Sequence, residues 1–152
     1  MPAKYSADQI ADTIIQLSRE RGLEITNLKL QKLLYYAQAW MLACADRPLF
    51  DDDFEAWVHG PVVPRVFRRF KEYRWNPITA PVKPVVDDPA LRDYLSEVVS
   101  KYGKLSATQL ERLTHLEDPW KEARKGIAPD ASSNTVISWD SMKRYYRKRA
   151  GR

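Results

Sequence analysis

Hydrophobic residues recur at helical spacing near the start of the chain, where Ile10 and Ile14 fall on one face. Ser6 precedes them and Gln9 follows three residues later, which is the spacing of a capping box. Gly22 stands where the apolar pattern stops, as glycine does after many helices. The pattern therefore predicts an amphipathic first helix that ends near Gly22.

A second helical segment is apolar around most of its circumference, and Thr26 or Asn27 can cap its start. A helix of this kind needs neighbours on several sides, so we expect it to be the centre of the fold. Its predicted inner stripe is Leu30, Leu33, Leu34, Ala37 and Met41, and its further apolar positions are Tyr35, Tyr36, Trp40 and Leu42.

The periodicity changes after residue 46. A turn at Pro48 and two short β-like pieces, Leu49 with Phe50 and residues 54–58, predict a small β-hairpin near residues 48–58. Gly60 and Pro61 are then expected to start a helix, because a proline in the first turn lacks only an N–H that the helix does not use. The expected buried side of that helix is Val62, Val66, Phe67 and Phe70, and its expected exposed side is Arg65, Arg68, Arg69 and Lys71.

The rest of the chain predicts a proline-rich loop at residues 76–84 and four more helices. Their start signals are Asp87 or Asp88 before Pro89, the capping-box pair Ser106 and Gln109, Asp118 with Pro119, and Ser138. A chain of 152 residues suits one domain, which buries about 70% of its unfolded surface. We predict a mainly α fold: a compact single-domain helical bundle, residues 1–152, around the central apolar helix, with one small hairpin.

The cellular setting is predicted from three features. Cys44 is the single cysteine and lies in an apolar run, so we expect a buried filler in a reducing compartment. The first residues are too polar for a secretion signal. The longest apolar run, residues 33–45, is shorter than the roughly 20 residues of a bilayer-crossing helix. We expect a cytoplasmic protein without membrane contact.

The formal net charge of +5 is concentrated at the end of the chain. The last ten residues contain six basic and no acidic groups, which leaves 19 basic against 20 acidic residues elsewhere. We therefore expect a basic C-terminal tail from about residue 143 on a nearly neutral body. Such a tail can serve as a solubilising helix end, or it can contact nucleic acid with help from Tyr145 and Tyr146.

The residues offer little to catalysis. His59 and His115 are the two histidines, neither has a second histidine at ligand spacing, and the five glycines are scattered. We therefore expect no metal, no cofactor and no enzymatic activity. Each histidine is expected to orient a loop through a backbone hydrogen bond, or else to contact a partner protein.

Lys32 is an isolated charge within the apolar second helix. Since an unpaired buried ammonium is costly, we expect Lys32 to reach the surface with its charged end or to pair with Glu55 or Asp53.

Four segments of the chain together resemble one known family. They are residues 28–38, residues 56–62 with the most specific block of Trp57, Gly60 and Pro61, residues 113–115, and Pro119 with Trp120. The chain resembles the Panacea domain, the SocA-like antitoxin family that also includes phage-associated GepA-like proteins. The resemblance runs from about Ile10 to Tyr146.

The resemblance implies a non-enzymatic antitoxin that binds a cognate toxin encoded by a neighbouring gene. Neutralisation would proceed by occlusion of the toxin or by its delivery to a protease, of which a Clp-type protease is the candidate. The alternative is a small, phage-associated, nucleic-acid-binding regulator that uses the basic C-terminal residues. The sequence does not fix the oligomeric state.

Two roles compete for the motif residues. Trp57 can pack the hairpin on the central helix while Gly60 and Pro61 shape the backbone, or the hairpin can form a platform for a partner. The candidate partner-binding residues are Trp57, His59, Arg65, Arg68 and Arg69. The candidate structural motif residues are Lys32, Gly60, Pro61, Val62, His115 and Trp120.

Overall fold

The computed structural model describes residues 2–151. Within this range the chain forms seven α-helices and a small antiparallel sheet, which confirms the predicted mainly α fold. The elements in chain order are α1 (Ala7–Glu20), α2 (Asn27–Ala45), β1 (Phe54–Trp57), β2 (Gly60–Val62), α3 (Pro64–Arg69), a 3-10 turn (Lys71–Tyr73), α4 (Pro89–Tyr102), α5 (Ala107–His115), α6 (Asp118–Ala123), β3 (Val136–Ile137) and α7 (Trp139–Arg149).

Helix α2 lies at the centre, as its apolar circumference predicts. It packs against α1, α4, α5, α7 and β2, and the predicted inner stripe is buried. Thr26 caps its start by accepting a hydrogen bond from the Lys29 N–H. None of the helices in the described part of the chain combines the length and the apolarity that a bilayer crossing requires.

The capping signals predicted the helix starts well. Ser6 with Gln9 and Ser106 with Gln109 both form reciprocal capping boxes, at α1 and α5. Asp88 caps α4 through two backbone N–H groups. These contacts are local in sequence, so each helix start is specified by a few neighbouring residues.

The hairpin lies later in the chain than expected, at residues 54–62 instead of 48–58. Its strands are β1 and β2, joined by a two-residue turn at Val58 and His59. The predicted strand at Leu49 and Phe50 is wrong. The side-chain amide of Gln38 on α2 bonds both backbones, since Oε1 accepts from the Leu49 N–H at 2.7 Å and Nε2 donates to the Phe50 carbonyl at 2.8 Å.

The segment from Gly60 to Val62 is a strand, so the prediction that Gly60 and Pro61 start a helix is also wrong. Pro61 lies opposite Ala56, whose N–H and C=O are both engaged elsewhere, by Thr135 and by Arg124. The missing N–H of Pro61 therefore costs no strand hydrogen bond. The following helix, α3, begins instead at Pro64.

The sheet has three strands in the order β2-β1-β3, and β1 is its central strand. Phe54 and Ala56 point inward and are buried, whereas Glu55 and Trp57 are on the outer face. The inner face packs on the core around α2. The outer face of β1 is therefore available to form a surface feature.

Two further expectations need correction. Cys44 is exposed near the end of α2 and is not a core filler. The basic segment from about residue 143 forms the C-terminal half of α7, which packs against α2 and buries Tyr146. Arg152 of that segment lies outside the described residues.

Candidate functional site

The segments that carry the family resemblance converge on the β1–β2 hairpin. Helix α2 lies beneath it, and α5 and α6 approach it from the side. The residues that meet there are Lys32 from α2, residues 56–60 of the hairpin, Thr114 and His115 from α5, and Trp120 from α6. The motif is thus one three-dimensional cluster.

Two side chains hold consecutive backbone carbonyls of the hairpin, at residues 56 and 57, and a third side chain lies beside residue 58. Arg124 Nη1 donates to the first carbonyl at 2.8 Å, and Trp120 Nε1 donates to the second at 2.9 Å. The His115 ring lies beside the third residue, Val58. We call His115, Trp120 and Arg124 the carbonyl clamp.

The three side chains of the carbonyl clamp also contact one another, with Trp120 in the middle. The His115 and Trp120 rings lie parallel, with centroids 3.9 Å apart and an interplanar angle of 16°. The Arg124 guanidinium lies 5.0 Å from the Trp120 ring centroid, close enough for a cation–π interaction. Trp120 and Arg124 are both buried, so the clamp lies in low-dielectric surroundings that strengthen its hydrogen bonds.

Arg124 was missed by the sequence analysis. It also donates to the carbonyls of Ala128 and Ala131, and thereby fixes the loop that follows α6. Its only sequence signal is the four-residue spacing from Trp120, which places both on one face of a helix. Arginine is common on helices, so that spacing alone is not informative.

Lys32 lies beneath the hairpin glycine. Its side chain is buried, its Nζ has no hydrogen-bond partner among the described residues, and a Cβ at Gly60 would meet its Cε at 2.6 Å. Burial lowers the pKa of Lys32 to about 7, and the Glu111 carboxylate opposes this effect to a smaller extent.

The expected pairing of Lys32 with Glu55 or Asp53 is therefore wrong. Glu55 is on the outer face of β1, where its Oε1 accepts from Trp57 Nε1 at 2.9 Å, while Lys32 lies on the inner side. Strand alternation separates the two, because successive side chains point to opposite faces. Asp53 is exposed.

The two histidines have different environments. His115 is half-buried, and burial is the main cause that lowers its pKa; the Glu111 carboxylate opposes this shift, and the nearby Lys32 adds to it. His59 is exposed in the hairpin turn, where its Nδ1 lies 2.7 Å from Glu111 Oε1 on α5. The described residues contain no group of three or more His, Cys, Asp or Glu placed to hold a metal ion.

A groove of about 710 Å³ runs along the outer face of the hairpin, and we call it the hairpin groove. Trp57 and Phe67 pack edge to face in it, with ring centroids 5.1 Å apart and an interplanar angle of 67°. Both are only half-buried, so Trp57 does not pack the hairpin on α2, as the structural interpretation assumed. The groove is lined by Leu28, Trp57, Val58, Val62 and Phe67, and by the polar residues Glu55, His59, Ser132, Ser133 and Asn134.

The three arginines of α3 do not act as one exposed face. Arg65 forms ion pairs with Asp8 at 3.2 Å and Asp52 at 3.1 Å. Arg69 pairs with Asp12 at 2.7 Å. Arg68 has no ion-pair partner within residues 2–151.

The basic residues of α7 are partly neutralised inside the protein. Lys143 and Arg147 pair with Asp46 at the end of α2, and Arg144 pairs with Asp140 at 2.8 Å. Arg147 Nε also donates to the Ala43 carbonyl at 3.0 Å. These contacts anchor α7 to α2 and leave fewer cations for nucleic acid.

A buried carboxylate also joins α2 to α7. Glu117 Oε1 accepts from the Tyr36 hydroxyl at 2.6 Å and from the Tyr146 hydroxyl at 2.8 Å. Burial raises the pKa of Glu117 and of both tyrosines. The network lies three residues before Trp120 and supports the start of α6.

Comparison with known proteins shows the family to which the chain belongs. The profile of the family described as "Antitoxin SocA-like, Panacea domain" matches residues 30–121, which include the hairpin, α5 and the start of α6. The protein named Antitoxin SocA from Caulobacter vibrioides (strain NA1000 / CB15N) is 32% identical over 138 residues, covering 82% of this chain and 73% of that relative. No solved structure matches the chain. The resemblance found in the sequence is confirmed, and the chain belongs to the SocA-like antitoxin family with a Panacea domain.

Proposed function

We propose that this protein is a non-enzymatic antitoxin that neutralises a cognate toxin, encoded by a neighbouring gene, through direct protein–protein binding. Membership of the SocA-like antitoxin family supports this role. The hairpin groove is the proposed contact surface. The observation that supports it most is the half-exposed Trp57–Phe67 pair in the groove, because aromatic side chains in concave apolar sites often dominate binding energy.

The groove is held in shape before any partner arrives. The carbonyl clamp fixes the backbone of residues 56 and 57 on one side, and Val63 N–H donates to Gln31 Oε1 at the start of α3 on the other. A preorganised surface loses little conformational entropy on binding. This arrangement suits recognition of a folded or extended toxin segment.

Two neutralising mechanisms are consistent with binding at the groove. The antitoxin can occlude the toxin's working surface, or it can deliver the toxin to a Clp-type protease. Both begin with the same complex, so both require the groove. Measuring toxin levels and growth in hosts with and without the protease distinguishes them: occlusion protects cells in both hosts, whereas delivery protects only cells that have the protease.

The nucleic-acid alternative receives less support. Three of the basic residues of α7, Lys143, Arg144 and Arg147, form ion pairs within the protein. Nucleic-acid sites instead use cations that are available to neutralise phosphates.

The direct test is Phe67→Glu, co-expressed with the toxin encoded beside the gene. The substitution places a charge in the hairpin groove at a half-buried position, so we expect a folded protein that no longer rescues growth or co-purifies with the toxin. Val85→Glu is the matched control, since Val85 is 46% exposed and is not part of the groove lining. Full rescue by folded Phe67→Glu protein would show that the toxin binds elsewhere.

A further inference from the structure

The turn that follows α3 exposes the most solvent-accessible large apolar side chain of the described residues. Trp75 is 76% exposed. A tryptophan left this open is costly to hydrate and is a common anchor of protein interfaces. It lies outside the groove lining and has no role in the proposed function.

The backbone that presents Trp75 is strained. The Asn76 N–H donates to the Tyr73 carbonyl at 2.9 Å, which closes a turn with Arg74 and Trp75 at its centre. Arg74 has φ 54° and ψ −119°, the geometry of the first central position of a type II′ turn. Glycine is the favoured residue there, so an arginine at this position carries a conformational cost.

The strained arginine belongs to a cluster of cations. Arg68, Lys71 and Arg74 line a shallow depression of about 520 Å³ together with Arg69 and Glu72. Arg69 is paired with Asp8 and Asp12, but Arg68, Lys71 and Arg74 have no ion-pair partner in the described part of the chain. We call Arg68, Lys71, Arg74 and Trp75 the basic corner.

We infer that the basic corner is a docking site for an acidic segment of a partner protein that also carries an exposed apolar side chain. Three unpaired cations supply charge complementarity to carboxylates, and Trp75 supplies the apolar anchor. Arginine binds carboxylates through two parallel hydrogen bonds, which gives the contact a defined geometry. The inference goes beyond the proposed function, because it assigns a second surface and holds whether or not the partner is the toxin.

A nucleic-acid ligand fits the basic corner less well. Single-stranded sites stack successive bases on several aromatic side chains along a basic track. The basic corner has one exposed aromatic ring, and a carboxylate, Glu72, lines the same depression. One anchor beside a compact cation cluster matches a short protein segment.

The test uses the purified full-length protein and a fluorescent synthetic peptide in which Asp and Glu alternate with Leu and Phe. Binding is followed by anisotropy at low and high salt, and a labelled oligothymidine is the second probe. The double variant Arg68→Glu with Lys71→Glu should bind the peptide about tenfold more weakly or worse. The matched control is Lys104→Glu with Lys125→Glu, which makes the same charge change at exposed positions outside the corner and should bind as the native protein does.

Two single variants separate binding from folding. Arg74→Gly removes a cation and relieves the turn, so it should melt at a higher temperature and yet bind the peptide more weakly. Trp75→Ala should keep the native melting temperature and also lose affinity. The inference is overturned if the corner variants bind the peptide as well as the native protein, or if oligothymidine binds more tightly than the peptide and depends on the same residues.

Discussion

The ε-carbon of Lys32 lies so close beneath Gly60 that a Cβ added at position 60 would come within 2.6 Å of it. The same Cβ would lie 2.9 Å from Thr114 Oγ1 on α5. Gly60 also has φ +109°, which side chains rarely adopt. The absence of a side chain at Gly60 thus allows the hairpin, α2 and α5 to meet.

Gly60→Ala should therefore destabilise the protein through strain and crowding together. We expect a loss of about 2–5 kcal/mol in the free energy of unfolding, measured by urea denaturation. Gly22→Ala is the control, because Gly22 also has a positive φ, of +70°, but nothing lies within 4 Å of its added Cβ. That variant should lose only about 1–2 kcal/mol. Equal losses in the two would mean that Lys32 moves aside freely.

Lys32→Met should abolish a pH dependence of stability. The pKa of Lys32 is lowered to about 7 in the fold, so above that pH the unfolded chain binds one more proton than the native state. Stability of the native protein should rise between about pH 7 and about pH 9, by up to about 1.4 kcal/mol per pH unit. Methionine has similar length and no charge, so the variant should lose this slope and be more stable at pH 7. An unchanged slope in urea titrations would contradict the buried, unpaired amine.

Glu117 can be tested by two substitutions that differ in hydrogen bonding. Glu117→Gln keeps a carbonyl acceptor for the Tyr36 and Tyr146 hydroxyls and removes the buried charge, so its melting temperature at pH 7 should be equal or higher. Glu117→Ala leaves both hydroxyls without that acceptor and should cost about 1–3 kcal/mol for each. Similar melting temperatures of the two variants would argue against the hydrogen bonds from Tyr36 and Tyr146 to Glu117.

Trp57→Ala should separate binding from folding. Trp57 is half-exposed and packs on Phe67, so its loss should cost only about 1–2 kcal/mol while toxin rescue fails. Trp120→Ala, which removes the centre of the carbonyl clamp, should cost about 3–5 kcal/mol. Circular dichroism, thermal melting and growth rescue measured on both variants test this difference. A folded Trp57→Ala protein that rescues fully would place the toxin contact elsewhere.

The C-terminus should tolerate the loss of residues 150–152 but not the loss of the last turn of α7. Deleting residues 150–152 spares α7 and should leave the melting temperature unchanged. Deleting residues 147–152 removes the bond of Arg147 to the Ala43 carbonyl and its ion pair with Asp46, which should cost about 1–3 kcal/mol. The melting temperatures of the two truncated proteins, compared with that of the native protein, test this expectation. If both melt like the native protein, the end of α7 contributes no stability.

The parts of the fold that were predictable depend on local contacts. The capping boxes at Ser6 and Ser106 involve residues three positions apart, and the apolar circumference of α2 is a property of its own sequence. Strand positions were less predictable, because their partners are distant. The backbone of Leu49 is occupied by the side chain of Gln38, and β3 pairs with a strand about 80 residues earlier.

The sequence predicted which residues belong to the site but not how they are arranged in space. The motif residues Lys32, Gly60, His115 and Trp120 do meet, yet the pairing of Lys32 with Glu55 failed because strand alternation places that carboxylate on the other face. Arg124 carried no distinctive pattern, although it holds the hairpin. Every residue has a backbone carbonyl, so a residue that accepts a contact through its carbonyl cannot be recognised from its type.

The hairpin is anchored through its main chain and not through its outward-facing side chains. The carbonyl clamp grips atoms that every amino acid possesses, so the side chains at positions 55, 57 and 58 can be replaced without loosening the grip. Those same positions line the groove. On the proposed function, specificity for a new toxin can therefore be acquired by substitution at these surface positions, while the scaffold beneath keeps its sequence.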